Sequence, residues 1–127
     1  MRRRLAYLEP MGSRAENAAG SFLTAEDLLQ FLDHSIDDEP DAHTPLAFPL
    51  QARDLSGLSP AFVLTCGFDP LRDEGFAYVD RLREAGVDVE HANFESMVHG
   101  FLDMDIVDHA YDGTEAAAAC LRTELDA

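Results

Sequence analysis

AFVLTCGFDPLRDEGFAYVDRLREAGVDVEHANF, residues 61–94, is the stretch on which the fold turns. Its first six residues, Ala61–Cys66, are an unbroken apolar and β-branched run, the pattern of a strand buried on both faces. Gly67, Phe68, Asp69 and Pro70 break that run. From Asp73 the spacing changes to that of a helix, with Phe76, Val79, Leu82 and Arg83 on its pattern and Gly86 as the C′ stop. Val87–Phe94 then reads as a second strand. Strand, helix and strand in this order predict a βαβ unit, with parallel neighbouring strands and a right-handed crossover.

That unit fixes where chemistry can occur. Open parallel sheets bind ligands at the carboxyl ends of their strands. Asp69 follows the first strand, and His99 follows the second within a loop over 95–100. Parallel neighbours bring both loops to one edge of the sheet, so Asp69 and His99 can meet. An Asp accepting from one ring nitrogen of a His fixes its tautomer and stabilises the imidazolium, which is the rear half of a Ser-His-Asp triad. The order Asp before His also suits the α/β-hydrolase arrangement. Each residue has a plainer reading. Asp before Pro is a common turn residue, and a lone loop His is usually a surface residue.

The remaining chain carries weaker signals. A final Ala-rich helix is expected over about Asp112–Leu125. Thr24 reads as an N-cap, with Asp27 three residues on completing a variant capping box. Leu28, Leu29, Phe31 and Leu32 give that helix an apolar face before it fades near Ser35. Leu5–Leu8 is a short apolar run stopped at Pro10, and Met11–Gly20 reads as loop. Residues 37–60 hold Pro40, Pro45, Pro49 and Pro60 and form a long irregular connection.

Composition limits the partners. All nine basic residues are Arg, against 25 Asp and Glu, for a net charge of −16. A chain this acidic argues against nucleic acid or an anionic membrane as partner. Two separated cysteines, Cys66 and Cys120, make neither a disulfide framework nor a zinc pattern. Arg2–Arg4 resemble a charged signal start, but Glu9 and Pro10 end the apolar part too early, so a cytoplasmic protein is expected. The chain is long enough for one domain or less.

Gly67–Gly75, Gly-Phe-Asp-Pro-Leu-Arg-Asp-Glu-Gly, resembles the acid-loop motif of the hormone-sensitive-lipase-like esterases, α/β-hydrolases that cleave carboxylic esters. Met97-Val98-His99-Gly100-Phe101 resembles the family's histidine motif, and the 30-residue separation of Asp69 and His99 is typical of it. Asp54–Ala61 is similar to the approach to the penultimate strand, and Gly20–Thr24 to a segment before a helix near the substrate pocket. The resemblance implies that Asp69 is the triad acid and His99 the general base. It gives Asp73 a structural role, capping the crossover helix.

The resemblance covers only the C-terminal part of the family pattern. No Gly-x-Ser-x-Gly elbow and no His-Gly-Gly-Gly-type oxyanion loop occurs, and Ser13, Ser21, Ser35, Ser56, Ser59 and Ser96 lack the flanking glycines. The expected architecture is therefore a truncated α/β-hydrolase. A short, mostly parallel sheet of about three strands is flanked by helices, with Leu5–Pro10 as the strand before Ala61–Cys66. Residues 1–60 hold a strand, a helix and the long loop; residues 61–127 hold the βαβ unit and the terminal helix. An open sheet edge predicts marginal stability and either a complementary N-terminal half or a second copy as partner.

The chemistry implied is ester hydrolysis of a small molecule, without cofactor or metal, with no nucleophile in these 127 residues. The alternative is a catalytically inactive remnant. Cys66 as a substitute nucleophile is outweighed by its reading as a small buried strand residue. His34, His43, His91 and His109 have no metal-ligand spacing. Asp103, Asp105, Asp108 and His109 lack the glycine and closing Glu of a calcium loop. Phe31, Phe68 and Phe101 could line an acyl pocket, though core packing is the better expectation for most of them.

Overall fold

A computed structural model describes residues 11–19, 22–36 and 44–125. Four α-helices and two strands occur among them: α1 (Gly12–Glu16), α2 (Ala25–Ser35), β1 (Ala61–Phe68), α3 (Arg72–Glu84), β2 (Val89–Val98) and α4 (Asp108–Leu125). Single 3-10 turns form at Pro49–Gln51 and Phe101–Asp103. β1 and β2 pair in parallel, Ala61 opposite Val89 through Cys66 opposite Phe94. The βαβ unit read at residues 61–94 is thus the structure's centre, where it extends to Val98. The third strand expected at Leu5–Pro10, and the acidic stretch from Asp37, lie outside the described residues.

Two small cores lie on opposite faces of the sheet. On one, Val79 and Leu82 of α3 pack with Leu55, Val87 and Val89. On the other, Phe101 and Ala110 pack with Cys66, flanked by Leu64 and Phe94. Alternation along β1 sends Val63 to the α3 side and Leu64 and Cys66 to the α4 side. The helices approach closely because glycines face the sheet. A Cβ on Gly75 would stand 2.5 Å from the Thr65 methyl, and one on Gly113 would stand 3.2 Å from Leu64 of β1 and 2.6 Å from Leu102 in the turn beside it.

Several boundaries differ from the sequence reading. Met11–Gly20, expected as loop, contains α1. α4 begins at Asp108, four residues early. β1 continues to Phe68, and β2 starts at Val89 and runs to Val98, through most of the expected 95–100 loop. The reason is a register irregularity. Cys66 pairs with Phe94, but Phe68 pairs with Val98, so Glu95–Met97 stand opposite Gly67 alone. This bulge keeps the strands together beyond the apolar run that marks them in sequence.

β1 is also less enclosed than an all-apolar run implies. Thr65 and Cys66 are buried, while Ala61–Leu64 are half-buried. Phe101 is the core residue expected, at 1% exposure, but Phe31 and Phe68 are more than half exposed and do not pack into either core. The α2 capping box forms as read: the Thr24 hydroxyl accepts from Asp27 N–H at 3.1 Å, and Asp27 accepts from Thr24 N–H at 2.9 Å. The apolar face of α2 has no fully buried residue. No helix among the described residues is long and apolar enough to cross a membrane.

Candidate active site

β1 ends at Phe68, and the chain turns at once through Asp69 and Pro70 into α3. The Asp69 carboxylate is split between two tasks. Its Oδ1 accepts from Leu71 N–H at 2.7 Å, an Asx turn that holds the side chain against its own backbone. Its Oδ2 lies 2.9 Å from His99 Nδ1. Asp69 is buried, whereas the His99 side chain is 43% exposed, so the ring is anchored on one side and open on the other. The two residues picked out in sequence are therefore in hydrogen-bond contact.

The His loop owes its place to two glycines. Gly67 sits under the bulge, where a Cβ would stand 1.9 Å from the Glu95 carbonyl oxygen. Without that close approach β2 could not advance two extra residues before releasing His99. Gly100 then takes φ of +75° in the left-handed region, turning the chain into the Phe101–Asp103 turn. Phe101, buried beneath and packed at 5.0 Å against the Phe94 ring, pins the far end of this loop.

Asp69 and His99 border a cavity of about 490 Å³. Its other walls are largely apolar: Phe48, Pro49 and Leu50 from the long connection, Leu64 from β1, and Leu71 and Tyr78 from the α3 side. Arg81 holds the connection in place by donating to the carbonyls of Leu50 and Ala52. An apolar hollow with a carboxylate–imidazole pair at its rim suits a small, mostly apolar ligand with one reacting polar centre.

Asp73 does not cap α3, contrary to the expectation from sequence. The N-cap position is Leu71, which gives no side-chain bond. The hydroxyl of Ser13, 60 residues away, accepts from Asp73 N–H at 3.1 Å instead. The Asp73 carboxylate accepts from Ser13 N–H at 2.8 Å and from Arg72 Nε at 2.9 Å. Burial pushes the Asp73 carboxyl up, but the Ser13 amide and the Arg72 guanidinium outweigh it and hold the group below the usual carboxylate range. Ser13 and Asn17, both buried, escaped the sequence reading because nothing in a small polar stretch marks a contact so distant in sequence.

The remaining candidates fall away from the pair. Burial, reinforced by the nearby Asp69 carboxylate, pushes the Cys66 thiol up to about 11, so it is a protonated core residue and not a nucleophile. His91 bonds to the Thr65 hydroxyl at 2.9 Å, and His109 pairs with Asp112 on the surface at 3.0 Å. Among the described residues, no three His, Cys, Asp or Glu side chains converge as a metal site. The Ser13 hydroxyl is already committed, donating to the Pro70 carbonyl at 3.0 Å.

The family model described as alpha/beta hydrolase fold matches residues 6–103. The chain is 39% identical over 108 residues to the carboxylic ester hydrolase LipN of Mycobacterium tuberculosis, covering 84% of this chain and 29% of LipN. It is 35% identical over 120 residues to esterase LipI of the same organism, covering 92% of this chain and 37% of LipI. Among solved structures, it resembles the thermostable carboxylesterase EstE1 from a metagenomic library with a TM-score of 0.87 at 34% identity. That match covers 92% of this chain and 40% of EstE1. The chain spans less than half the length of each of these proteins.

Proposed function

This chain belongs to the alpha/beta hydrolase fold family, in its hormone-sensitive-lipase-like branch, and from that premise we propose that it carries the acid and the base of a carboxylic ester hydrolase. Asp69 is the acid and His99 the general base. The serine comes from polypeptide outside these 127 residues, because no Gly-x-Ser-x-Gly occurs within them. The observation that carries this reading is the 2.9 Å contact between Asp69 Oδ2 and His99 Nδ1, with the rest of the ring open beside an apolar cavity.

The arrangement performs one half of the chemistry. Asp69 accepts the Nδ1–H, which leaves Nε2 as the basic nitrogen. His99 Nε2 takes the serine proton as the serine oxygen bonds to the ester carbonyl carbon. The carbon–alkoxide bond breaks, and the imidazolium returns that proton to the departing alcohol. Water repeats the sequence on the acyl-serine, releasing the acid and restoring the serine. Asp69 stays ionised throughout and stabilises the imidazolium. No cofactor takes part. The substrate is a small ester of the kind that an apolar hollow of this size admits.

A complementary N-terminal half, bearing the elbow and the oxyanion donors, is the partner this reading requires. The absent elbow also favours a second reading, a catalytically inactive remnant. Turnover of a short aryl ester separates them, measured on the chain alone and after mixing with the N-terminal portion of a related esterase. Activity only in the mixture, abolished by His99→Ala, supports the half-site. No activity in either case supports the remnant. Turnover by the isolated chain would overturn both.

A further inference from the structure

Helix α1 packs against the loop that bears Asp69, although it lies more than fifty residues upstream. Two of its neighbourhood's buried polar side chains reach that loop's backbone. Asn17 Nδ2 donates to the Asp69 carbonyl at 3.3 Å, and the Ser13 hydroxyl donates to the Pro70 carbonyl at 3.0 Å. The same hydroxyl accepts from Asp73 N–H, so Ser13 closes the N-terminus of α3 in place of a local cap. Ser13 is fully buried and Asn17 is 6% exposed. The Arg72–Glu16 ion pair at 2.8 Å closes the outer side of the contact.

Such bonds are not needed to make a helix start or a strand end. A local Ser or Asp at position 71 would cap α3 at no distance, and the β1–β2 ladder is complete without α1. What α1 adds is a fixed path for the three residues Asp69–Leu71. Asp69 is held through its carbonyl by Asn17 and by Arg72 N–H, and through Oδ1 by Leu71 N–H. With backbone and Oδ1 fixed, Oδ2 has one direction left, toward His99.

We propose that Ser13 and Asn17 are positioning residues: they hold the acid loop in the one path that aims Asp69 Oδ2 at His99 Nδ1, without touching the imidazole themselves. The inference rests on the reading of Asp69 and His99 as a working pair.

The test is the tautomer of His99 in the full 127-residue chain, read by ¹⁵N NMR of the ring at about pH 9, where an ordinary imidazole is neutral. The wild-type chain should carry its proton on Nδ1. Ser13→Ala and Asn17→Ala should each shift the population toward the Nε2–H form that a free imidazole prefers, by up to about tenfold for one hydrogen bond's worth of positioning. Asn17→Asp should shift it likewise, since a carboxylate cannot donate to the Asp69 carbonyl. Val79→Ala is the control. It opens the core on the α3 side, away from the loop, and should lower the urea midpoint without moving the tautomer.

A Ser13 or Asn17 variant that keeps the wild-type tautomer overturns the proposal. So does a tautomer that moves equally in Val79→Ala, because the effect would then be general loosening. If Ser13→Ala does not fold, Asn17→Ala still decides, since it removes one bond at the end of α1 and leaves the α3 cap in place. Wild-type His99 with its proton on Nε2 would overturn the reading of the pair itself, a result distinct from failure of the two variants.

Discussion

Gly67→Ala should break the β1–β2 bulge and release His99. The added Cβ would stand 1.9 Å from the Glu95 carbonyl oxygen, 2.6 Å from its carbon and 2.8 Å from its Cα. All three are backbone atoms, so no side-chain rotation relieves the clash. Glu95 has to retreat by about 1.5 Å to reach ordinary contact distance. Overpacking of this kind costs about 1–3 kcal/mol. Loss of one or two ladder hydrogen bonds beside the bulge adds about 0.5–1.5 kcal/mol each. The lower entropy of Ala in the unfolded chain returns about 0.4–1 kcal/mol. At the middle of these ranges the net loss is about 2–4 kcal/mol, a large part of the stability of a small domain. With a urea slope of about 1–3 kcal/mol per molar, the midpoint should fall by at least about 0.7 M. The His99 ring should also lose its Nδ1–H preference in whatever folded fraction remains. A midpoint within about 0.3 M of wild type, with an unchanged His99 spectrum, would refute the claim that the bulge depends on the missing Cβ.

Three further outcomes follow from the same geometry. Phe101→Ala empties the centre of the core on the α4 side, where the ring is 1% exposed. It should cost about 3–5 kcal/mol, read as loss of the urea transition or of the native circular dichroism melt. Burial, and then the Arg83 charge, hold the His91 imidazole below its ordinary value of 6.5, with Asp80 opposing. Unfolded His91 therefore binds a proton first as pH falls. Its contribution to stability is complete above 6.5 and is lost as pH drops below 6.5 toward the folded value, so His91→Gln should flatten that part of the stability profile. Cys66, with its thiol at about 11, should resist iodoacetamide at pH 8 in the folded chain and label rapidly in urea. Fast native labelling at Cys66 would contradict its burial.

Much of the fold is legible in the chain because its signals are local. The run Ala61–Cys66, the helical spacing from Phe76 to Leu82 and the glycine at 86 each report on neighbours within a turn or a strand. Gly86 does take φ of +79° one residue past the Ala85 C-cap, as a helix stop should. The Thr24–Asp27 box likewise lies within four consecutive residues. Boundaries were less legible where tertiary pairing extends an element beyond its apolar pattern. Glu95, Ser96 and Met97 read as loop because they do not alternate, yet the ladder carries β2 through them to Val98. Met11–Gly20 reads as loop because Gly12 and Ser13 are poor helix formers. α1 exists because Asp73 and Glu74 on α3 receive the Ser13 amide and the Arg14 guanidinium.

The meeting of Asp69 and His99 was determined by the sequence through topology. Two parallel neighbouring strands must release their following loops at the same edge, whatever the details of packing. The geometry of the meeting was decided only by the tertiary structure. Which carboxylate oxygen faces the ring depends on Leu71, Asn17 and Ser13, and when β2 lets go of His99 depends on the space above Gly67. Apart from the Leu71 turn, these are contacts between residues tens of positions apart. Their energies come from close approach and buried hydrogen bonds, and neither is written in the periodicity of any single segment.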